Sequence, residues 1–536
     1  MTRSARSLSF LAVLALGCGG DSATDDDTLE PNDTVTSDSA GVADTVEDVA
    51  DDTVGLDVPD ATPWQTEIVI VHTANERGWL AGRPTADGVV LGGAAQVAGV
   101  WAHDEPPERL TLSTGDSIVG APVASWFAGT PTVEVMNAMG YDAVALGHHE
   151  LDFGRAALAG WIDAAEFSFL AANVEVGSGP AMLDAGYQVF TVESADVAVI
   201  GLAHPDTPTL AAGPHYTDVA FSDPATSVAS AATAARAEGA DAVVVLAHLD
   251  SEGLDALATA LDGQVDVILG GHSNPHADRR IGDVLVVESS QSWAGYTRVR
   301  LTIDLPGDVG SVIAATAEWR PADYDPRIEP DPTVAAAVDT WVEAMDEALG
   351  DVIGYTSGGM TQGGWTQANW VTDSWRSVIP EADVVLQNNG GLRATLAPGD
   401  IAREDVVMVL PYDNSIISLE MTGEQLLTHL SAGVAHCGGS CFVAVSGLRY
   451  GAGVDTVTVE LEDGSPLDPT ATYTVLMNDY MYYGGAGFDV ESTGIPFEAT
   501  GLNYRDPVMQ WTEAQATTES SPLDALLDGA PRNTLD

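Results

Sequence analysis

The stretch that decides the fold reads Gly147-His148-His149-Glu150-Leu151-Asp152-Phe153-Gly154. It follows the short apolar run 143–146, which predicts a buried strand. Two adjacent histidines and a carboxylate therefore stand where the chain leaves a sheet. One imidazole at such a place can bind a metal ion while the next transfers a proton. Because short motifs also arise by chance, the meaning of this one depends on the rest of the chain.

The same pattern recurs along the first half of the chain. Four further apolar runs, at 68–71, 110–113, 243–246 and 267–269, each end in a polar cluster. In open α/β sheets, ligands bind beyond the carboxyl ends of the strands, so side chains far apart in sequence meet there. The residues that these runs would deliver to one edge include Asn75, Asp116, His248 and His272.

The residue types at these strand ends predict a metal site. One carboxylate and three imidazoles, from Asp116, His148, His248 and His272, are a sufficient ligand set for Zn, Mn or Fe. Such an ion would polarise a phosphoryl oxygen. His149 suits a general acid that protonates a leaving alkoxide, and Asp152 would orient its ring.

Composition limits the partners. The 536 residues carry a net charge of −61, and all 19 basic residues are Arg. A field of that sign repels nucleic acid polymers and anionic lipid surfaces. An anionic substrate must therefore be bound by a few placed Arg side chains or by metal ions.

The N-terminal region predicts export. Residues 1–18 have the form of a signal peptide with a short apolar core, and Ala15-Leu16-Gly17-Cys18 resembles a bacterial lipobox in which Cys18 is lipidated. A plain secretory signal with an incidental Cys is the alternative. Residues 19–64 are rich in Asp, Thr and Ser, and we expect a disordered acidic linker. We therefore expect a protein of the cell envelope that meets the membrane only through its lipid anchor, facing either the periplasm or the surface.

The motifs of residues 65–290 resemble the calcineurin-type metallophosphoesterase domain of the 5'-nucleotidases. They are HTxxxxG from residue 72, GD at 115–116, GxHExDFG from 147, AAN at 171–173, AH at 247–248 and GGHS at 270–273. The resemblance implies an α/β fold over residues 65–328, a β-sandwich flanked by helices. It implies two metal ions bridged by Asp116, with His248 and His272 binding the second. It also implies His149 and Asp152 as the catalytic pair.

Four positions depart from that family. Its first strand ends in Asp and then His, where this chain has Asn75 and Arg77; its GNHE has His148 in place of Asn; its GHSH or GHSQ ends here in Asn274. The first metal site is thus degenerate, and one ion rather than two is expected. Either Arg77 replaces the missing cation and binds phosphate, or catalysis is lost and only binding remains. His276 or Glu76 could also restore a ligand.

A second domain is predicted over residues 351–515, after an interdomain helix at 329–350 that Asp331-Pro332 would open. A Gly-rich stretch from Gln387 to Arg393 can approach a ligand closely. The segment resembles the smaller α/β 5'-nucleotidase C-terminal domain. That resemblance implies nucleotide contacts from Asn388 and Arg393 and a base clamp of Tyr412 and Tyr480. Ala486 stands where the family has the Asp that binds the ribose hydroxyls.

Two smaller features complete the organisation. Cys437 and Cys441 are expected to close a short disulfide loop, because an exported chain favours a disulfide over a metal site at this spacing. Residues 516–536 are polar, and we expect this tail to fray.

The sequence therefore predicts a monomeric, extracytoplasmic metal-dependent phosphohydrolase of the 5'-nucleotidase type, acting on nucleotides or related phosphate esters. Three alternatives remain open. The fold also serves hydrolases of other small anions, such as the thiosulfohydrolases of sulfur oxidation. A nucleotide-binding lipoprotein without catalysis is the second, and a surface scaffold is the third.

Overall fold

The computed structural model describes residues 64–84, 90–177, 183, 185–210, 219–273, 275–289, 291–307, 309–323, 325, 327–439, 441–452 and 457–533. The proposed signal peptide with Cys18, nearly all of the acidic linker, and Asn274 lie outside these residues. Among the helices of the described part, none combines the length and the apolar character needed to cross a bilayer.

The first domain contains two six-stranded sheets, with strand orders β16-β15-β1-β4-β5-β6 and β13-β14-β12-β11-β9-β8. Its strands are β1 (Gln65–Thr73), β2 (Arg83–Pro84), β3 (Val90–Leu91), β4 (Leu110–Ser113), β5 (Ala143–Ala145), β6 (Ser168–Leu170), β7 (Val174–Val176), β8 (Tyr187–Val192), β9 (Ala195–Leu202), β10 (Val219–Phe221), β11 (Ala242–Ala247), β12 (Val267–Gly270), β13 (Ala277–Ile281), β14 (Val284–Glu288), β15 (Gly295–Asp304) and β16 (Ser311–Pro321). Its helices, with the one that leads out of it, are α1 (Ala94–Asp104), α2 (Pro122–Trp126), α3 (Thr130–Met139), α4 (Gly154–Ala164), α5 (Thr207–Leu210), α6 (Pro224–Ala237), α7 (Ser251–Ala260) and α8 (Pro332–Leu349).

The two sheets pack face to face, and helices cover both outer faces. On β11, Val244 and Leu246 face the core between the sheets, whereas Val243 and Val245 face α6 and α7. Strands buried on both faces read as continuous apolar runs, which is why the run at 243–246 does not alternate. The predicted β-sandwich flanked by helices is confirmed.

The inner strands of both sheets run parallel. β1 pairs with β4, β4 with β5 and β5 with β6 in the first sheet, and β9 with β11 and β11 with β12 in the second. Parallel neighbours place their carboxyl ends at the same edge. The polar clusters after β1, β4 and β5 therefore gather at one edge of the first sheet, and those after β11 and β12 at one edge of the second.

The second domain has a five-stranded sheet of order β21-β18-β24-β20-β25 with helices on both faces. Its strands are β17 (Val352–Thr356), β18 (Val384–Asn388), β19 (Gly399–Ala402), β20 (Ser415–Thr422), β21 (Val443–Ser446), β22 (Leu448–Ala452), β23 (Val457–Leu461), β24 (Thr472–Asn478) and β25 (Phe497–Asn503). Its helices are α9 (Trp365–Val378), α10 (Arg403–Val409), α11 (Gly423–Cys437), α12 (Asp479–Tyr482) and α13 (Asp506–Ala514). Short 3₁₀ turns lie at His149–Leu151, Asn389–Gly391, Gly485–Gly487, Glu491–Thr493 and Leu523–Ala525.

The helix α8 joins the two domains. The Asp331 carboxylate caps it by accepting from the backbone N–H groups of Thr333 and Val334, and Pro332 takes its first position, as the Asp-Pro pair predicts. Met345 near its end packs against both the core of the first domain and a core of the second. The helix is thus shared between the domains.

The C-terminal tail is ordered through residue 533, so the expectation that it frays is wrong. Leu523 is fully buried in a core of the second domain. The Asp524 carboxylate accepts from Thr356, Ser357 and Gly358. Arg532 pairs with Asp373 at 2.7 Å. One buried leucine and two anchored charges, scattered among polar residues, are a pattern that composition alone does not reveal.

Candidate metal centre

A buried cluster of four side chains lies where the two sheets bring their strand ends together. Asp116 follows β4, His148 follows β5, and His248 and His272 follow β11 and β12. One ligand atom from each of the four lies within 4.8 Å of every other. Asp116, His148 and His248 are buried, whereas His272 is half-buried. The structure thus brings together all four residues that the sequence predicts as metal ligands.

The donor atoms of this cluster suit a divalent cation. Four buried atoms, Asp116 Oδ2, His148 Nδ1, His248 Nε2 and His272 Nδ1, have no hydrogen-bond partner among the described residues. His148 Nδ1 lies 3.4 Å and His248 Nε2 3.3 Å from Asp116 Oδ1. Lone pairs that face a carboxylate repel it unless a proton or a metal ion lies between them. A carboxylate with three imidazoles is also a ligand set that Zn and Mn accept, so these residues fit a metal ion.

Hydrogen bonds and burial keep these rings ready to bind. The His248 Nδ1–H donates to the carbonyl oxygen of Thr114 at 2.7 Å, which leaves the Nε2 lone pair directed at Asp116. Burial, together with neighbouring His248, lowers the pKa of His272 to about 4. Burial also holds the pKa of His148 well below its ordinary value. Both rings are therefore neutral at neutral pH and can offer a lone pair to a cation.

His149 has a different environment from its neighbour. Its Nδ1 lies 2.6 Å from Asp152 Oδ2, and its backbone N–H donates to Asp116 Oδ1 at 3.1 Å. Burial alone would lower the pKa of His149, but the carboxylates of Asp152 and Asp116 outweigh burial and raise it. The structure therefore places beside the four-residue cluster an imidazole whose charged form is favoured, in contact with the carboxylate predicted to orient it.

Glu150 supports this site, although the sequence pattern alone predicts no role for it. Its carboxylate is buried and accepts from the backbone N–H groups of Asp116 at 3.1 Å, Ser117 at 2.7 Å and Gly147 at 2.8 Å. Burial, with the nearby Asp116 charge, raises its pKa to about 7. Because the three N–H groups belong to loops after two different strands, only the folded structure reveals this link.

Several site residues adopt the left-handed backbone conformation. The φ angles are 50° at Asn75, 51° at Arg77, 55° at Asp116 and 66° at His272. For residues other than glycine such angles cost about 1–3 kcal/mol each, and they concentrate at functional sites. Here they turn the chain sharply after the strands and aim the side chains over the sheet edge.

A positive charge lies next to the cluster, where the sequence predicts a degenerate first metal site. Arg77 Nη2 lies 3.7 Å from Asp116 Oδ2. The Asn75 amide donates to the backbone oxygen of Ser273 at 3.2 Å. Asn274, the third residue predicted here, lies outside the described residues.

Neither alternative ligand joins the cluster in the described part of the chain. The Glu76 carboxylate is buried and accepts from the hydroxyl groups of Thr73 at 2.5 Å and Ser117 at 3.0 Å. The His276 ring stacks on Trp319, with ring centres 5.0 Å apart. Both side chains are thus engaged elsewhere, and Arg77 is the charged group beside Asp116 where the sequence predicts the first metal position.

The second domain reaches this centre through Tyr412 and Arg393. The Tyr412 ring stacks on His149, with centres 5.5 Å apart and planes inclined by 22°. The Arg393 guanidinium lies 6.0 Å from the centre of the Tyr412 ring and donates to the Gly390 carbonyl oxygen at 3.2 Å. Arg393 is exposed and Tyr412 is half-buried. An aromatic ring and a cation therefore stand at the mouth of the centre.

The other two predicted substrate contacts are more enclosed. The Asn388 Oδ1 accepts from the side-chain amide of Asn478 at 2.9 Å. Tyr480 lies against Gly485, where an added Cβ would come within 2.4 Å of the ring. Burial raises the pKa of Tyr480, with a further contribution from Tyr412. Tyr480 lies close enough to the centre to be influenced by the Asp152 charge, whereas the Asn388 side-chain oxygen accepts from Gln387 and Asn478 within the second domain.

Cys437 and Cys441 form a disulfide at the end of α11. The sequence prediction of a short closed loop agrees with this bond. It closes the segment between α11 and β21 and contributes no ligand to the cluster.

A further histidine, which is not among the residues predicted from the sequence, lies beside the cluster. His204 follows β9, and its ring centre lies 4.9 Å from that of His272. The signal was present, because His204 follows an apolar run within a few residues, as His272 does. The intervening Ala203 and the proline at 205 obscured the resemblance to the other strand ends.

The chain combines a sandwich of two sheets, a His/Asp cluster at the strand ends and a smaller α/β domain that follows, and this architecture resembles that of a solved 5'-nucleotidase. Residues 352–493 match the family model described as "5'-nucleotidase, C-terminal domain". That segment thus resembles the C-terminal domain of the 5'-nucleotidases, and the chain as a whole is similar to proteins described as 5'-nucleotidases.

Comparison with individual proteins supports this relationship along most of the chain. Endonuclease YhcR of Bacillus subtilis is 27% identical over 471 residues, which cover 82% of this chain and 38% of that protein. Protein UshA of Yersinia enterocolitica is 26% identical over 470 residues, which cover 78% of this chain and 84% of UshA. The crystal structure of a 5'-nucleotidase precursor from Thermus thermophilus aligns with a TM-score of 0.70 and 28% identity, covering 87% of this chain and 99% of that one. The chain spans well under half of YhcR but most of the other two proteins.

Proposed function

We propose that this protein is an extracytoplasmic phosphohydrolase that uses a single divalent metal ion, Zn, Mn or a similar ion, to hydrolyse phosphate esters of nucleotides or related small anions. The observation that carries the proposal is the cluster of Asp116, His148, His248 and His272, whose ligand atoms lie within 4.8 Å of one another. When bound, the ion would polarise a phosphoryl oxygen and lower the pKa of a water molecule next to it.

His149 would supply the proton that the leaving group needs. Its Nδ1 is held by Asp152 at 2.6 Å, so Nε2–H can donate to the departing alkoxide oxygen. Asp152 would keep the ring oriented and favour its protonated form, as the raised pKa of His149 indicates. This division assigns metal binding and proton transfer to separate side chains that are adjacent in sequence.

Arg77 would take over the charge of the missing ion. Its guanidinium lies near Asp116, at the place where the family binds a second cation, and it is permanently charged. It can donate two parallel hydrogen bonds to phosphoryl oxygens. We therefore propose one ion per chain, with Arg77 as the second source of positive charge.

The substrate would enter between the domains. Tyr412 and Tyr480 would contact its planar part by stacking, and Arg393 and Asn388 its polar groups. The signal peptide, the lipid anchor at Cys18 and the acidic linker would hold this body in the cell envelope.

Metal stoichiometry and phosphate release test the proposal together. The purified chain is loaded with Mn or Zn, and its ions are counted by inductively coupled plasma mass spectrometry. Hydrolysis is measured as phosphate release from AMP, and as formation of the phosphomonoester products from a nucleotide sugar and a simple phosphodiester. We expect one ion per chain and phosphate release that EDTA abolishes and added metal restores. Two tightly bound ions per chain would contradict the single-ion site.

A binding protein without catalysis is the second candidate, and Arg77 beside Asp116 favours it, because a fixed cation there opposes a second metal ion. Calorimetric titration with AMP separates the two. AMP binding by a metal-loaded chain that hydrolyses none of the three substrates would support the second candidate.

A further inference from the structure

Three adjacent parallel strands of the second sheet each deliver a histidine to the same edge. β9 pairs with β11 so that Leu202 lies opposite Ala247, and β11 pairs with β12 so that Ala247 lies opposite Gly270. His204, His248 and His272 follow these three strand ends within two residues. The last two belong to the metal cluster, whereas His204 is not among its four residues.

We propose that His204 is a substrate-binding residue of this centre, which donates a hydrogen bond from Nε2–H to an oxygen of the bound phosphoryl group. The inference rests on the proposed function, because it names a further contact for the same anion.

The Nδ1 atoms of His204 and His248 make hydrogen bonds of opposite direction, so the Nε2 atoms of the two rings differ in protonation. The His248 Nδ1–H donates to the Thr114 carbonyl oxygen, so Nε2 carries a lone pair for a metal ion. The His204 Nδ1 instead accepts from the backbone N–H of Asp206 at 3.1 Å. A neutral imidazole carries one proton, so the proton of His204 must lie on Nε2. His204 is therefore a hydrogen-bond donor that cannot compete for the metal.

The position of His204 suits contact with a ligand. Its ring centre lies 4.9 Å from that of His272, and it is half-buried, whereas His248 is fully buried. The turn that carries it is held by Thr207, whose backbone N–H and hydroxyl both donate to the His204 carbonyl oxygen, at 3.2 and 2.7 Å. A donor that is held before the ligand arrives loses little entropy on binding.

His204 would complement Arg77 across the centre. Arg77 follows β1 of the first sheet and His204 follows β9 of the second. A phosphoryl group has several acceptor oxygens, and a chain with only 19 basic residues has few charged donors to offer them. A neutral N–H donor from the second sheet would satisfy an oxygen that Arg77 does not reach.

Two substitutions separate the roles of the two ring nitrogens. In His204→Asn, the side-chain oxygen can replace Nδ1 as acceptor for the Asp206 N–H, but nothing replaces the Nε2 donor. In His204→Gln, the longer amide returns an N–H near the Nε2 position. The metal-loaded full-length chain is titrated with inorganic phosphate by calorimetry, and the metal content is measured in parallel. His248→Asn serves as the control for loss of a metal ligand.

We expect His204→Asn to weaken phosphate binding roughly tenfold, the usual effect of losing one hydrogen bond to a charged group. Its metal content should equal that of the wild-type chain, and His204→Gln should recover most of the phosphate affinity. His248→Asn should lose metal.

Three results would overturn the proposal: unchanged phosphate affinity in His204→Asn, a fall in metal content that parallels the loss of affinity, or a wild-type chain that takes up metal and binds no phosphate. A wild-type chain that binds phosphate but hydrolyses no ester would refute the proposed function alone. The weakening caused by His204→Asn would still support the His204 contact in that case.

Discussion

His148 and His149 are consecutive residues with different hydrogen bonds, and their chemistry differs accordingly. The His148 Nδ1 faces Asp116 Oδ1 at 3.4 Å and has no hydrogen-bond partner within the described chain, so it can bind a cation. The His149 Nδ1 is held by Asp152 at 2.6 Å, so Nδ1 donates to that carboxylate and cannot bind a cation. The Nε2–H of the charged ring remains available for proton transfer. For each of these histidines, the hydrogen-bond partner of Nδ1 thus decides whether the ring binds metal or transfers a proton.

Replacing His149 tests this division. We expect His149→Ala to lower kcat about 10²- to 10⁴-fold, the usual contribution of a general acid, without lowering metal content. Phosphate release and metal analysis on the same preparation measure both quantities. His148→Ala is the matched control and should lose metal as well as activity. A His149→Ala protein with wild-type kcat would show that another group donates the proton.

A double variant that restores the family's residues at the predicted first metal position tests the single-ion proposal. In Asn75→Asp/Arg77→His, a carboxylate and an imidazole replace an amide and a fixed positive charge. Two unit charges 4 Å apart repel by about 4 kcal/mol at an effective dielectric constant of 20, so removing Arg77 relieves a large penalty on a second cation. We expect metal analysis to count two ions per chain in the double variant and one in the wild type. The single Arg77→Ala change is the control and should still bind one ion. A double variant that binds one ion would mean that Asn274 or another residue also blocks the position.

The strands and helices that the sequence predicts correctly are those whose hydrophobic pattern is local. Runs such as 243–246 are buried on both faces, so their composition predicts a strand. The polar residues that follow such runs, Asp116 and His248 among them, are then predicted to lie at the strand ends. The links made by Glu150 depend on three backbone N–H groups from two separate loops, and no spacing encodes them. The tail was mispredicted because only Leu523, Asp524 and Arg532 hold it, and these three residues do not stand out in a polar segment.

The start of α10 offers a test of stability against pH. Burial, with the neighbouring charges of Asp405 and Asp346, raises the pKa of Glu404 from 4.5 to about 7. The folded state therefore favours the protonated carboxyl, so the stability associated with Glu404 is complete below pH 4.5 and declines as pH rises to 7. We expect Glu404→Gln to raise the free energy of unfolding by about 1–2 kcal/mol at pH 8 and by little at pH 5, as measured by urea unfolding. Glu381→Gln, at an exposed position of the same domain, is the control. An equal gain at both pH values would assign the effect to packing instead of charge.

The charge of the whole molecule predicts a dependence on salt that no single residue explains. With 80 acidic and 19 basic residues, most acidic groups have no basic partner to pair with, and their mutual repulsion opposes the compact state. Screening shortens the reach of that repulsion from about 30 Å at 0.01 M salt to about 3 Å at 1 M. We expect the Tm of the metal-free chain to rise between these concentrations, on the order of 5 °C for a few kcal/mol of relieved repulsion.

Screening depends on ionic strength and not on which monovalent salt supplies it, and this separates charge repulsion from specific ion binding. Scanning calorimetry in NaCl and in KCl at matched ionic strength should therefore give the same rise in Tm. A rise confined to one of the two salts would indicate a bound ion, and a Tm that falls with salt would mean that attractive ion pairs outweigh the excess of negative charge. The composition argues against the latter, because 19 basic residues can pair with only a minority of the 80 acidic ones. Of the described pairs, Arg298 with Glu105 is buried and is screened little, whereas Arg300 with Glu67 is exposed. Repulsion among exposed carboxylates is thus the contribution that salt should change most.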